Sequence, residues 1–176
     1  MRMTEHKRRY LWLAAAVIWM ALIFHFSNQK AVKSSEISGS LTYRIAKGID
    51  QAFFLDFDED TLKQYAQTLE HPVRKAAHRT EYAVLAWIFL GNCMQYPYFR
   101  RKCYIWAGML AALYAATDEF HQLFIEGRSG ELKDVAIDST GALLGLLLAF
   151  IFHKLIKTQY FLANSLVFCK IGTCTV

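Results

Sequence analysis

Residues 117–145 read TDEFHQLFIEGRSGELKDVAIDSTGALLG, and this stretch decides the fold. An acidic pair, Asp118 and Glu119, stands at the end of an apolar run that begins near Cys103. A short polar turn with Gly127, Arg128 and Gly130 follows, and Asp134 and Asp138 open a second apolar run. On a helix, Asp134, Asp138, Gly141 and Gly145 recur at i, i+4, i+7 and i+11, which places them on one face. Gly141 and Gly145 form a G-x-x-x-G step, a spacing that lets a neighbouring membrane helix approach closely. The aspartates are therefore expected to face the interior of a helix bundle. Carboxylates at the edge of a membrane are costly unless they are paired, hydrated or used. The rest of the chain reads as a frame for this polar cluster.

Outward from that stretch, apolar residues gather into four runs: 10–26 (YLWLAAAVIWMALIFHF), 82–96, 103–124 and 135–156. Hydrophobic residues make up 55% of the 176, and the mean hydropathy is +0.18. A helix needs about 20 residues to cross the hydrocarbon core. The third and fourth runs meet that length, and the second does if its helix begins near Ala76. The expected architecture is all-α: a four-transmembrane-helix bundle with helices at about 10–26, 76–96, 103–125 and 135–157. The first run, preceded by Lys7, Arg8 and Arg9, has the alternative reading of a signal peptide. The residues after it, Phe26, Ser27, Asn28 and Gln29, offer no small-x-small cleavage site, which favours an uncleaved anchor.

The net charge is +5, but the basic residues sit beside the apolar runs. Arg2, Lys7, Arg8 and Arg9 precede the first helix, Arg100, Arg101 and Lys102 fill the turn between the second and third, and Lys154 and Lys157 follow the fourth. These clusters alternate as four spans with both termini cytoplasmic require. No basic patch interleaved with aromatics points to a nucleic-acid partner. Cys93, Cys103, Cys169 and Cys174 all fall on the cytoplasmic side, so reduced thiols are expected, and their spacing is not that of a zinc site.

With this topology, all four helices carry their ionisable and polar residues at the outer end. The first contributes His25, Ser27 and Gln29, and the second contributes His78, Glu81 and Tyr82. The third contributes Asp118, Glu119 and Gln122, the turn adds Arg128, and the fourth adds Asp134 and Asp138. A shared site is the economical explanation. Each element of it also has a structural alternative. His25 can snorkel to the headgroups. His78 beside Glu81 can carry a proton or bolt two helices together. Arg128 is the expected counter-ion for one acid, and the network can serve acid–base chemistry or structure alone.

Between the first two spans, Ile37, Leu41, Ile45, Ile49 and Phe53 recur every four residues, which predicts an amphipathic helix at the outer interface. Asp56 to Asp60 is an acidic turn without the spacing of a calcium loop. A second short helix is expected from Asp60 to Glu70, ended by Pro72. No metal or other cofactor is indicated.

Four segments resemble the VanZ-like membrane proteins of bacteria. They are Ile23-Phe24-His25-Phe26-Ser27-Asn28-Gln29; Arg74-Lys75-Ala76-Ala77-His78-Arg79-Thr80-Glu81-Tyr82; Thr117-Asp118-Glu119-Phe120-His121-Gln122 with Gly127-Arg128; and Asp134-Val135 with Asp138, Gly141 and Gly145. This chain has Glu126 where members often have proline before the Gly-Arg pair. The resemblance implies a VanZ-like domain over residues 1–157, a multi-pass protein of the bacterial cytoplasmic membrane, and a role in lowering sensitivity to the glycopeptide teicoplanin. It assigns no catalytic step. Residues 158–176 form a tail to which it assigns nothing. The expected partners are membrane lipids and a lipid-linked cell-wall precursor or lipoglycopeptide. Two alternatives stand beside this one: an integral membrane hydrolase or transferase on a lipid headgroup or lipid-linked precursor, and a structural scaffold whose polar cluster only fixes helix register.

Overall fold

The computed structural model describes residues 5–29, 31–128 and 130–171, with the side chains at 31–37 and 160–171 outside that description. Six helices and no strand make up the described residues: α1 (Glu5–Ser27), α2 (Ala31–Phe53), α3 (Glu59–Cys93), α4 (Pro97–Arg100), α5 (Cys103–Gln122) and α6 (Leu132–Ile171). α3 is the central post and touches α1, α2, α5 and α6, while α5 also packs on α6.

The packing is inverted relative to a water-soluble bundle. The interior is built largely from small side chains: Ala107, Ala111 and Ala115 line one face of α5, and Ala86, Ala142 and Ala149 meet them from α3 and α6. Leu143, Leu144, Leu147, Leu148, Phe150 and Ile151 point outward from α6, and Leu13, Val17 and Ile18 do so from α1. An apolar exterior of this extent marks a surface that lipid covers, and small interior residues let helix backbones approach. The protein is a membrane protein.

α1 and the 132–159 portion of α6 are each long and apolar enough to cross a bilayer. α3 and α5 do not meet the same measure. α3 carries Arg74, Lys75, Arg79 and Glu81 along its middle, and α5 brings Thr117, Asp118, Glu119 and His121 into its last turns.

At the seam between α3 and α6, main chain lies directly against main chain. A Cβ added at Gly141 would lie 2.7 Å from Arg79 Cα, and one at Gly145 would lie 2.7 Å from Ala83 Cα. No side chain fits between those backbones, so the G-x-x-x-G step does what its spacing predicts. α1 is tied on by polar bonds to main-chain atoms. Trp19 Nε1 donates to the Glu81 carbonyl (2.9 Å), Asn92 Nδ2 to the Trp12 carbonyl (2.9 Å) and Tyr114 Oη to the Met20 carbonyl (2.6 Å).

Two expected boundaries are corrected. The short helix expected at 60–70 and the span expected from about 76 are one continuous helix, α3, with Pro72 inside it. Proline removes one intrahelical bond, but packing against α2 on one side and α6 on the other carries α3 across that position. The tail expected after residue 157 continues α6 as helix to Ile171. At about 1.5 Å per residue the 40 residues of α6 extend about 60 Å, twice the roughly 30 Å hydrocarbon core. The amphipathic helix expected around 37–53 is present as α2, packed on α3. Cys93 and Cys103 are buried free thiols, whereas Cys169 and Cys174 lie outside the described side chains.

Candidate polar site

At the end of the bundle where α1 and α5 stop and α6 starts, the helices enclose a polar cavity of about 320 Å³. α3 supplies one wall through His71, Arg74, Lys75 and His78, which recur at i, i+3, i+4 and i+7. α5 supplies Glu119 and Gln122, and α6 supplies Asp134, Ile137 and Asp138. The α5–α6 turn closes it with Gly127, Arg128 and Glu131. The cavity is thus polarised, with cations along α3 and carboxylates along α5 and α6.

Gln122 is the buried hinge of the network. Its Nε2 donates to Ser27 Oγ (2.9 Å) and to Asp118 Oδ2 (3.2 Å), and its Oε1 accepts from Arg128 Nη1 (3.4 Å). One amide therefore joins the end of α1, the acidic turn of α5 and the loop that follows. Glu119, also buried, accepts from the Glu131 backbone N–H at 3.2 Å and so holds the start of α6 against the end of α5. A Cβ at Gly130 would lie 2.9 Å from Leu123 Cγ, which leaves room there for glycine only. Gly127, at φ 78°, takes the left-handed conformation that the reversal requires.

Lys75 and Asp134 form the close ion pair of the site, with Nζ 2.6 Å from Oδ1. His78 Nδ1 stands 3.5 Å from Glu81 Oε2 on the same face of α3. Asp118 Oδ1 and the Tyr82 hydroxyl are buried without a hydrogen-bond partner among the described residues. An imidazole facing a carboxylate, beside a second buried acid, can pass or hold a proton. Among the described residues, no three His, Cys, Asp or Glu side chains are grouped to hold a metal ion.

Of the residues expected to form one site, His78, Glu119, Gln122, Arg128, Asp134 and Asp138 line the cavity. Asp118 and Ser27 sit directly behind it through Gln122. Glu81 meets His78, and Gln29 contributes its backbone carbonyl to Arg128. Tyr82 is wholly buried 6.4 Å from the ring of Tyr114, a core position. His25 is exposed, with its ring against Phe26, and takes no part in the cavity.

Arg128 differs from expectation in its partners. Its Nε donates to the Gln29 carbonyl (2.9 Å) and its Nη2 to the Phe26 carbonyl (3.4 Å), and among the described residues it forms no ion pair with an acid. The last carbonyls of a helix lack intrahelical donors, and the guanidinium is taken up there, at the end of α1. Burial, and after it the nearby charge of Arg74, lower the Arg128 pKa from the usual arginine value, while Asp118, Glu119 and Glu81 oppose that shift.

The sequence reading missed His71, Arg74, Lys75 and Glu131 as cavity residues. The four-residue α3 spacing was available. Placing a helix boundary at Pro72 detached His71 from the helix and left Arg74 and Lys75 as a flank.

A family model described as VanZ/LLP1 matches residues 12–153. The matched stretch contains every residue of the cavity. No curated protein and no solved structure matches the chain.

Proposed function

The chain belongs to the VanZ/LLP1 family, and from that premise we propose that it is a cell-envelope protein whose polar cavity engages a lipid-linked headgroup at the outer leaflet. By doing so it lowers sensitivity to glycopeptides of the teicoplanin type. One observation carries the reading. A bundle whose outside is apolar collects buried acids, two histidines, two arginines and a lysine around one cavity at one end. Ionisable groups at membrane depth are expensive, and their concentration in one place is the mark of use. The volume suits a headgroup rather than a whole lipid. The exposed apolar sides of α5 and α6 give the tails a path in from the bilayer.

In this reading α1, the membrane half of α3, α5 and α6 all span, both termini are cytoplasmic and the cavity opens outward. The basic clusters at both ends of the chain and at Arg100–Lys102 support that orientation. Membrane lipids and a lipid-linked cell-wall precursor are the partners.

The test is teicoplanin susceptibility in one bacterial host carrying empty vector, the wild-type chain or Asp138→Asn, with membrane abundance measured in each. Asp138 is buried at the cavity and is replaced isosterically. Wild type is expected to raise the inhibitory concentration severalfold, and the variant to lose that gain at equal abundance. No gain from wild type removes the antibiotic role. An equal gain from the variant removes the cavity from it.

The 3.5 Å approach of His78 to Glu81 favours a second reading, a hydrolase or transferase acting on the headgroup. There His78 would be the general base and Glu81 the group that orients it. Headgroup release from a lipid-linked substrate by wild type, abolished in His78→Gln, would replace the binding role with a catalytic one.

A further inference from the structure

Four carboxylates line the cavity, yet among the described residues neither of its two guanidinium groups is ion-paired with one. Lys75 is committed to Asp134. Arg128 is bound to neutral groups, the Gln29 and Phe26 carbonyls and the Gln122 amide oxygen, so its charge is oriented but not ion-paired among the described residues. Arg74 lies one residue before Lys75 on the cavity wall, half-buried, and has no hydrogen-bond or ion-pair partner among the described residues. Two like charges are thus held around one confined space. Burial first, and then the charge of Arg74, weaken the hold of Arg128 on its proton, while Asp118, Glu119 and Glu81 oppose that shift. Nearby Asp118, Glu119 and Glu81 offset that repulsion at Arg128 without pairing to it.

The arrangement becomes favourable when an oxyanion enters. Guanidinium groups present paired N–H donors that match the oxygens of a phosphate, and charge-assisted bonds of that kind are the strong ones. His71 and His78 flank Arg74 on the same face of α3 and add donors when protonated. On the opposite wall Glu119 and Asp138 would repel a bare anion that moved too deep, which confines its oxygens to the α3 side. Those acids are placed to accept from hydroxyl or ammonium groups attached to the anion.

Resting on the reading that this cavity is the functional site, we infer that it is an oxyanion pocket for a phosphate ester, with Arg74 and Arg128 gripping the phosphate oxygens from two sides. Arg128 is preset by the end of α1, and Arg74 is the free jaw. The phosphate belongs to a lipid headgroup or is free in solution, and the two sources are separable.

The full chain is purified in neutral detergent, and binding is measured by native mass spectrometry and thermal shift. The probes are phosphatidic acid, diacylglycerol with the same acyl chains, and inorganic phosphate. Wild type is expected to hold phosphatidic acid at least tenfold more tightly than diacylglycerol. Arg74→Gln is expected to remove about tenfold of that affinity, and Arg74→Glu more. Neither substitution should alter the helical content, because the Arg74 side chain has no bonding partner among the described residues. Phosphatidic acid much tighter than inorganic phosphate identifies the lipid source, and equal affinity identifies the free anion. Equal binding of phosphatidic acid and diacylglycerol overturns the inference, as does full phosphatidic acid affinity in a folded Arg74→Gln. The assay contains no antibiotic, so its outcome is independent of the susceptibility experiment.

Discussion

At the scale of single residues, the sharpest constraint falls on glycine. Gly141 faces the Arg79 backbone with no space for a methyl group, whereas a Cβ at Gly108 would rest 3.4 Å from Leu146 Cδ1, an ordinary contact. Gly141→Ala should therefore push α6 off α3 and destabilise the bundle by about 1–3 kcal/mol, the usual scale of overpacking. Gly108→Ala should be neutral or slightly stabilising, because alanine is the better helix former. Thermal midpoints of the two purified variants decide the matter, and equal midpoints would mean the seam is slack. The glycine face was legible in the sequence because i, i+4, i+7 and i+11 spacing is a property of any helix. The same reasoning brought Asp134 and Asp138 to the cavity. It failed for Arg128, because a guanidinium near carboxylates looks like an ion pair until the carbonyls at the end of α1 are placed beside it. It failed for His25 because that residue lies two positions from both Ile23 and Ser27, on the opposite side of α1 from that buried line.

At the scale of the element, α3 is the instructive helix. Pro72 stands inside it, one residue after His71 and two before Arg74. An interior proline removes the bond to the carbonyl four residues back and crowds it, at a cost of about 3 kcal/mol. Pro72→Ala is expected to raise the thermal midpoint by several degrees. A fall instead would show that the α2 packing depends on the interruption. α3 could not be read whole from the sequence because two true local signals, a proline and a change from polar to apolar content, both mark boundaries in most proteins. Here tertiary contacts outweigh them. Ser38 Oγ bonds Glu70 Oε1 at 3.2 Å, so α2 holds α3 just ahead of the proline. α2 was easier to read, since its four-residue apolar repeat needs no knowledge of what it packs against.

At the scale of the whole molecule, the question is which end faces which compartment. The proposed orientation, argued from the charge clusters, has the α4 turn inside the cell and the α5–α6 turn outside. In a background with its native cysteines replaced, Glu126→Cys should react with a membrane-impermeant maleimide in intact cells. Tyr98→Cys, on the exposed α4 turn, should react only after permeabilisation. The reverse pattern would turn the cavity towards the cytoplasm and remove extracellular ligands from consideration. The number of apolar runs was plain in the sequence. How many of them cross was not, because α3 and α5 trade hydrophobicity for the groups that build the cavity. A site made from membrane helices blurs the signal by which those helices are recognised.

The seam at Gly141 and Gly145 has a mechanical corollary. Arg74 and Lys75 stand on α3 about one turn from Arg79, and Asp134 and Asp138 stand on α6 within two turns of Gly141. Main chain rests against main chain at that point, with no flexible side chain between to act as a spring. The spacing of the two helices that carry the basic and acidic walls is thus set there by backbone contact rather than by a side-chain spacer. A ligand is measured before it is recognised. On the proposed reading, a candidate with the right charges but too broad a head would be turned away at the opening, and adaptation to a larger one would have to begin by changing a glycine that does not itself line the cavity.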